Sequence, residues 1–584
     1  MNKIIGGIVL NFKESLIESR NKTTNKNFIS IFSIILVTLN LLCIVLGIFY
    51  IKSNKNSGLW NILGFCIIAT LFMNFLLVYL NSLQLKGDRR IIKLTKLLGY
   101  VYLFSVMLVM LGMLIGNVTL SNSYSSDFNE NIYLHFTIYF SYMSIFVIGI
   151  IISFINFRNL SFYNNSAIND GKLVKFFRGS TKLVCYLILI FGIFAAYVIL
   201  SEHDVGNSEV FISEFTVFYG FIFFSATIVI LNLKNRDRRK LSYWIVVIIG
   251  TSISFICMLP LILTPYAINR ADKNFSEAFG SNWRDKIEYN LEKHFLNTPF
   301  IIPAYFLGME SKEYTFKKDI LFYQGKDSKG KEIKLYFDAY MPNNKDKYLP
   351  GTGSTVIRIH GGAWVSGDKG KLNMLQMNKY LAEKGYTVFD IQYGLSNNSC
   401  FTMDLGEPEN VRGNFDIDHM VKHIGMFTKY ISEHADEYNA NLNSVFISGG
   451  SAGGHLACAT ALALDSGKYN NIFGSKIKIK GLIPFYPANG LPDQGKIYGN
   501  KNFMNPKLLV SKDSPPCLIY QGTKDGLVPR KVSIEFKNEY ISKGNNRCAI
   551  LWMPLGSHAS DYYFPGQYNQ IFLYYMERFM YIYK

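Results

Sequence analysis

The chain has 584 residues, 49% of them hydrophobic and 15% aromatic, too long for one domain and too apolar for an ordinary soluble protein. Its net charge of +18 is concentrated early, with 23 Lys and Arg against 11 Asp and Glu through Arg270 and 37 against 31 afterwards. The basicity therefore flanks apolar runs and points to a lipid bilayer, not to nucleic acid, while eight singly placed cysteines without C-x-x-C spacing argue against a disulfide framework or a zinc site.

Seven apolar runs precede residue 270: Phe28 to Tyr50, Leu59 to Leu83, Leu97 to Leu120, Tyr133 to Asn156, Leu183 to Leu200, Phe215 to Leu233 and Ser242 to Ile268. Each is close to the roughly 20 residues that a helical bilayer crossing needs. The first is too long for the apolar region of a cleaved signal peptide and is expected to stay as a helix. Every second connecting segment is basic, carrying Lys3 to Lys26, Lys86 to Lys96, Arg158 to Lys182 and Lys234 to Lys240. Asp127, Glu130, Asp204 and Glu209 mark two of the intervening loops. This alternation predicts a multi-pass cell-membrane protein with a cytoplasmic N-terminus, and everything after Ile268 outside. No Asp, Glu, Lys or Arg falls within a run, so the bundle reads as an anchor or scaffold more than as an ion-coupled transporter. Pro260 and Pro265 should kink the last helix.

After the last run, Phe275, Phe279, Trp283, Ile287 and Leu291 recur every fourth residue among charges, the pattern of an amphipathic helix that either packs on a globular domain or serves as a lid. Pro299 and Pro303 break the next apolar stretch. From Glu313 the period changes to that of strands, near Ile320 to Tyr323, then Ile333 to Tyr340, Thr355 to Ile359, Tyr386 to Ile391, Val445 to Ser448, Ile479 to Phe485, Cys517 to Tyr520 and Ala549 to Met553. Helical patterns separate most of them, ending with Gln570 to Tyr581. The predicted organisation is a seven-span α-helical bundle over 1–270, an amphipathic linker or cap over 271–312, and a catalytic domain over 313–584. That last domain is a mostly parallel sheet with helices on both faces, whose sites form at the C-terminal strand ends.

The chemistry centres on Gly449-Gly450-Ser451-Ala452-Gly453. An apolar strand, a tight turn and a helix place the Ser451 hydroxyl at the apex, and Gly449 and Gly453 leave room for the bend. An acyl-transfer serine needs a base, an orienter for that base and oxyanion donors. Only His455 and His558 follow Ser451. His455 lies inside the nucleophile helix and reads as a packing residue, which leaves His558, in a loop after the last strand, as the base. Asp525, four residues beyond the strand Cys517 to Tyr520 and its Gln521, is the expected orienter, with Asp493 the weaker alternative. The loop His360-Gly361-Gly362-Ala363-Trp364 follows an earlier strand. The amides of Gly361, Gly362, Ala363 and Ala452 are the expected oxyanion donors, with His360 fixing the loop.

These motifs, in this order, resemble those of the α/β-hydrolase esterases, and are most similar to the feruloyl and acetyl-xylan esterase-like branch and its hormone-sensitive-lipase-like relatives. Two positions depart from the lipase-like pattern: Gly450 stands where an acid is common, and Tyr393-Gly394-Leu395 lacks a frequent arginine. The resemblance implies carboxylic ester hydrolysis through an acyl-enzyme on Ser451, without metal or cofactor. Tethering at the membrane suggests short acyl groups on carbohydrate or envelope glycopolymer as substrate. A lipid or phospholipid esterase, an exopeptidase, and a seven-helix receptor or transporter with a ligand-binding hydrolase-like domain are the other readings.

Overall fold

The computed structural model describes residues 30–53, 55–83, 89–124, 131–159, 172–203, 206–234, 240–343, 348–371, 374–397, 399–401, 406–474 and 476–584. Several residues used for the orientation argument, among them Lys3, Lys13, Arg20, Lys22, Lys26, Lys86, Asp127, Glu130, Asp204 and Arg236, lie outside the described residues. The chain forms two compact units. The first comprises Met1–Gly116, His135–Ala196 and Thr216–Met258, and the second comprises Asn117–Leu134, Tyr197–Phe215 and Leu259–Lys584.

Among the described residues seven helical stretches are long and apolar enough to cross a membrane. They are built on α1 (Ser30–Lys52), α2 (Asn61–Leu83), α3 (Arg89–Ser121), α4 (Ile132–Asn159), α5 (Lys172–Leu200), α6 (Thr216–Leu233) and α7 (Leu241–Ile262). Apolar side chains alone give helices little reason to associate in lipid, so close approach and polar pairs do the work. Asn40 and Asn74 exchange two amide hydrogen bonds of 3.1 and 2.9 Å between α1 and α2. Gly149 on α4 leaves room for the Asn40 amide, and Gly250 on α7 leaves room for Thr227 on α6, because a Cβ at either glycine would collide with its neighbour.

The run expected to be one kinked span is interrupted at Leu263, after which α8 (Thr264–Phe279) begins with Pro265 in its first turn, where the missing N–H costs no helical bond. The amphipathic helix expected to continue from Phe275 to Leu291 instead stops at Phe279. Gly280 takes φ 100° there, and short 3₁₀ turns follow at Trp283–Lys286 and Tyr289–His294. The apolar stripe survives the break. Phe275, Phe279, Trp283 and Leu291 are all buried, with ring centroids 5.3 Å apart for Phe275 and Tyr575 and 5.1 Å for Phe279 and Phe579. The stripe thus packs on the globular unit, as the first of the two alternatives required. After α9 (Ile302–Leu307), which starts beside Pro303, the sheet begins.

Its strands are β1 (Tyr314–Lys326), β2 (Glu332–Pro342), β3 (Thr355–Ile359), β4 (Thr387–Ile391), β7 (Val445–Gly450), β8 (Ile479–Phe485), β9 (Cys517–Gly522) and β10 (Cys548–Met553), with β5 (Leu395–Ser396) and β6 (Arg412–Gly413) forming a small separate pair. The eight-stranded order is β1-β2-β4-β3-β7-β8-β9-β10. β2 pairs antiparallel with β1 and β4, and every later pairing is parallel. Helices α10 (Leu375–Glu383), α11 (Ile417–His434), α12 (Ala452–Asp465), α13 (Lys501–Met504), α14 (Arg530–Ser542) and α15 (Gln567–Tyr583) complete the unit. Alternation along the central strands divides the core in two. Ile357, Ile447 and Leu482 join a cluster with Ile424 of α11 and Leu456 of α12, while Val356, Phe446 and Ile483 join one with Leu381 of α10 and Phe572 of α15. Strands buried on both faces read as continuous apolar runs, which is why they were legible. The register sets Ile359 beside Gly449 and Gly450 beside Phe485, so the loops after β3, β7 and β8 leave the sheet at one end.

Candidate active site

Ser451 sits between β7 and α12 with φ 55° and ψ −119°, a conformation that a non-glycine residue adopts only when its surroundings enforce it. Here the enforcement is close packing. A Cβ on Gly449 or Gly453 would collide with the carbonyl oxygen of Ile359 at the end of β3, so both glycines are needed for the helix to meet the sheet edge. The Ser451 amide donates to Phe485 O at 3.0 Å, and its carbonyl accepts from His455 N at 3.0 Å and Ala488 N at 3.2 Å. The backbone is thereby anchored on both sides while the hydroxyl stays free to react.

That hydroxyl lies 3.0 Å from His558 Nε2. His558 Nδ1 faces both carboxylate oxygens of Asp525 at 3.1 Å. Asp525 is in turn held by the Val528 amide at 2.8 Å and by Gln521 Nε2 at 3.1 Å. A proton on Nδ1 that points at Asp525 leaves Nε2 as the acceptor for the serine proton, the tautomer that a general base requires. The structure therefore brings Ser451, His558 and Asp525 together. Asp493 is not part of this group; it lies exposed in a 3₁₀ turn at Pro492–Gly495.

Burial of His558 disfavours the imidazolium, but the Asp525 carboxylate, by charge and hydrogen bond, outweighs it with help from Glu209 and Asp561, so the group is raised above the ordinary histidine value. The sign for catalysis follows. A base must be neutral to accept the serine proton, so kcat/KM is expected to rise with pH along a limb displaced above roughly pH 6.5, the unperturbed value. A pH–rate profile with its rising limb below that value would contradict the arrangement.

The loop after β3 runs in the left-handed region, with φ 108° at Gly362, 51° at Ala363 and 63° at Trp364. It is closed by Val365 N and Ser366 N, which donate to Gly362 O at 3.0 and 2.9 Å. Gly361 packs against the Gly450 carbonyl and the Ser451 side chain. Among the described residues, the amides of Gly361, Gly362, Ala363 and Ala452 donate no hydrogen bond within the chain, so they are available to an oxyanion beside Ser451. His360 is buried; its Nδ1 donates to Gly361 O at 2.8 Å, its ring stacks on Tyr393 at 4.4 Å, and Tyr393 Oη donates to His360 O at 3.1 Å. Burial lowers its affinity for a proton, which suits a neutral support.

His455, read as packing, has a more specific part. Trp364 Nε1 donates to His455 Nδ1 at 3.1 Å, and His455 Nε2 donates to Phe503 O at 2.7 Å. The loop after β3 is thus pinned to α12 through an imidazole that burial holds neutral, down to about 4. Sequence reasoning also missed Tyr486, whose ring lies 4.5 Å from that of His558, and Glu407, which receives Gly367 N at 3.0 Å and Arg412 at 2.9 Å. Neither position carries a local motif. Glu209 was also missed; its carboxylate accepts from His558 N, and in the sequence it served only as an acid in a membrane loop.

A family model described as BD-FAE matches residues 337–496. The probable carboxylic ester hydrolase LipM of Mycobacterium tuberculosis is 24% identical over 245 residues, covering 37% of this chain and 51% of its own length. The acetyl esterase of Salmonella paratyphi B is 30% identical over 115 residues, covering 20% of this chain and 30% of its own length. The chain thus spans about half the length, or less, of these curated relatives. A solved structure of esterase B from Lactobacillus rhamnosis, inhibited by a C6-C4 SN3 compound, is 20% identical and covers 44% of this chain and 82% of its own, with a TM-score of 0.34. The residues that the family model matches include the loop after β3 and the serine turn, the curated relatives to which this stretch is similar are esterases, and seven apolar, membrane-length helices precede the sheet among the described residues.

Proposed function

We propose that the protein is a membrane-anchored serine esterase whose hydrolase domain, within 313–584, faces the outside of the cell and removes short acyl groups from surface carbohydrate or glycopolymer. The observation that carries the catalytic part is the hydrogen-bonded line from Ser451 through His558 to Asp525 beside the unused amides. In this reading Ser451 Oγ attacks the ester carbonyl carbon as its proton passes to His558 Nε2. The oxyanion is held by Ala452 and the glycine loop. Collapse breaks the bond to the alcohol, which leaves with that proton; water then repeats the sequence on the acyl-enzyme and releases the carboxylic acid. Asp525 holds the imidazolium. The chemistry needs neither metal nor cofactor.

The sidedness rests on the alternation of basic segments. The preference for short acyl groups rests on the burial of the Phe275 to Leu291 stripe against α15, which leaves it unavailable as a lid over a long chain. The test uses the full-length protein in detergent on nitrophenyl esters of increasing acyl length beside acetylated glycans, with an impermeant fluorophosphonate on intact cells. Acetate release with surface labelling is the expected result. A preference beyond about ten carbons, where each buried CH₂ adds roughly 0.8 kcal/mol, would move the substrate to lipid, and labelling only after permeabilisation would reverse the orientation.

A further inference from the structure

The segment between α5 and α6 is part of the same compact unit as the hydrolase fold, and it reaches the two loops that hold the acid and the base. One oxygen of the buried Glu209 carboxylate accepts from Gly526 N at 3.0 Å and from His558 N at 3.3 Å. One of these amides is next to Asp525 and the other belongs to His558 itself. Around it, Ser557 Oγ donates to Glu209 O at 2.7 Å and meets Ser213 Oγ at 2.7 Å, while Ser557 N donates to Ser213 Oγ at 3.2 Å. At the outer end, Glu202 binds Arg530 through both oxygens at 3.0 and 2.9 Å and Lys524 at 3.1 Å. The loops after β9 and β10 are therefore tied to each other by a stretch of chain that precedes the sheet by more than a hundred residues.

We propose that Glu209 is a positioning residue for the hydrolytic site, its carboxylate clamping the Asp525 and His558 loops together and placing a negative charge behind the imidazole. The geometry carries this. A single acceptor that bridges both loops sets their separation, and with it the 3.1 Å contacts between His558 and Asp525. Small displacements of such contacts are costly to the rate. The charges facing His558 are Asp525 on the loop after β9, Glu209 on the clamp and Asp561 on its own loop, with Arg358 of β3 behind Asp561 and the Tyr486 phenol alongside. Those facing Glu209 are Asp525 and His558. All three carboxylates favour the imidazolium, so removal of one charge lets the proton leave more readily.

The inference rests on the esterase reading, and the experiment separates the two. Full-length wild type, Glu209→Ala and Glu209→Gln are compared in detergent, with active sites counted by fluorophosphonate titration and folding followed by thermal unfolding. Glu209→Ala should lower kcat per active site by about tenfold to a hundredfold with KM little changed. Glu209→Gln keeps an oxygen that accepts from both amides. It should regain most of the plateau kcat, while its kinetic pKa falls by on the order of half a unit to one unit. A purely structural residue would not move that pKa. Wild-type kcat and pH profile in both variants overturns the proposal, as does an activity loss fully accounted for by fewer folded, titratable sites. Wild-type protein that neither hydrolyses esters nor labels at Ser451 overturns the esterase reading instead.

Discussion

Ser451→Ala should abolish both ester hydrolysis and covalent labelling by a fluorophosphonate, because no other hydroxyl faces His558 Nε2 at hydrogen-bond distance among the described residues. His558→Ala and Asp525→Asn should each lower kcat by on the order of 10³ or more, the size of loss expected when one member of a hydrogen-bonded Ser-His-Asp group is removed. Asp525→Asn is informative in its own right. An amide nitrogen in place of an oxygen turned to His558 Nδ1 favours the tautomer with its proton on Nε2, where it cannot accept from the serine. Near-normal turnover in Asp525→Asn, with loss in Asp493→Asn, would move the acid to Asp493 despite its exposed position.

Gly362→Ala should cost about 10²- to 10³-fold in kcat, the range expected when oxyanion donors are displaced. Two independent effects oppose a side chain there. Gly362 holds φ at 108°, a conformation that disfavours any Cβ, and the added carbon would collide with the backbone of Ser366. The loop must therefore shift, and the amides of Gly361, Gly362 and Ala363 shift with it. Gly467→Ala is the matched control, because that glycine also has positive φ, at 66°, but has nothing within 4 Å of the added carbon. It should lose only about 1 kcal/mol of stability and keep its kcat. Equal kcat in Gly362→Ala and wild type would remove the loop from the catalytic account.

Much of the architecture was legible because its signals are local. Parallel strands buried on both faces are short apolar runs, and β3 and β8 lie where those runs predict, while β9 runs two residues further, to Gly522, and the last helix is three residues longer at its start and two at its end. The serine turn is equally local, since its glycines are required by contacts within a few residues of Ser451 and at the end of one neighbouring strand. The helix expected from Phe275 to Leu291 ends at Gly280 for a reason the apolar period does not weigh: the spacing marks a buried stripe but not the glycine whose φ of 100° terminates the helix.

Composition and periodicity by themselves determined the seven apolar segments and the strand and helix order of the sheet domain, and motif order picked out Ser451, His558 and the loop at Gly361 to Ala363 as candidates. These depend on residue type and spacing, which the chain carries explicitly. Strand position already favoured Asp525 over Asp493, and the tertiary structure brings Asp525 to 3.1 Å from His558 while leaving Asp493 exposed. It also decided that His455 pins the loop after β3 through Trp364. And it alone placed Glu209, separated from His558 by 349 residues, against the backbone amide of His558, since contacts between residues so far apart are set by the packing of whole elements and leave no periodic trace in the sequence.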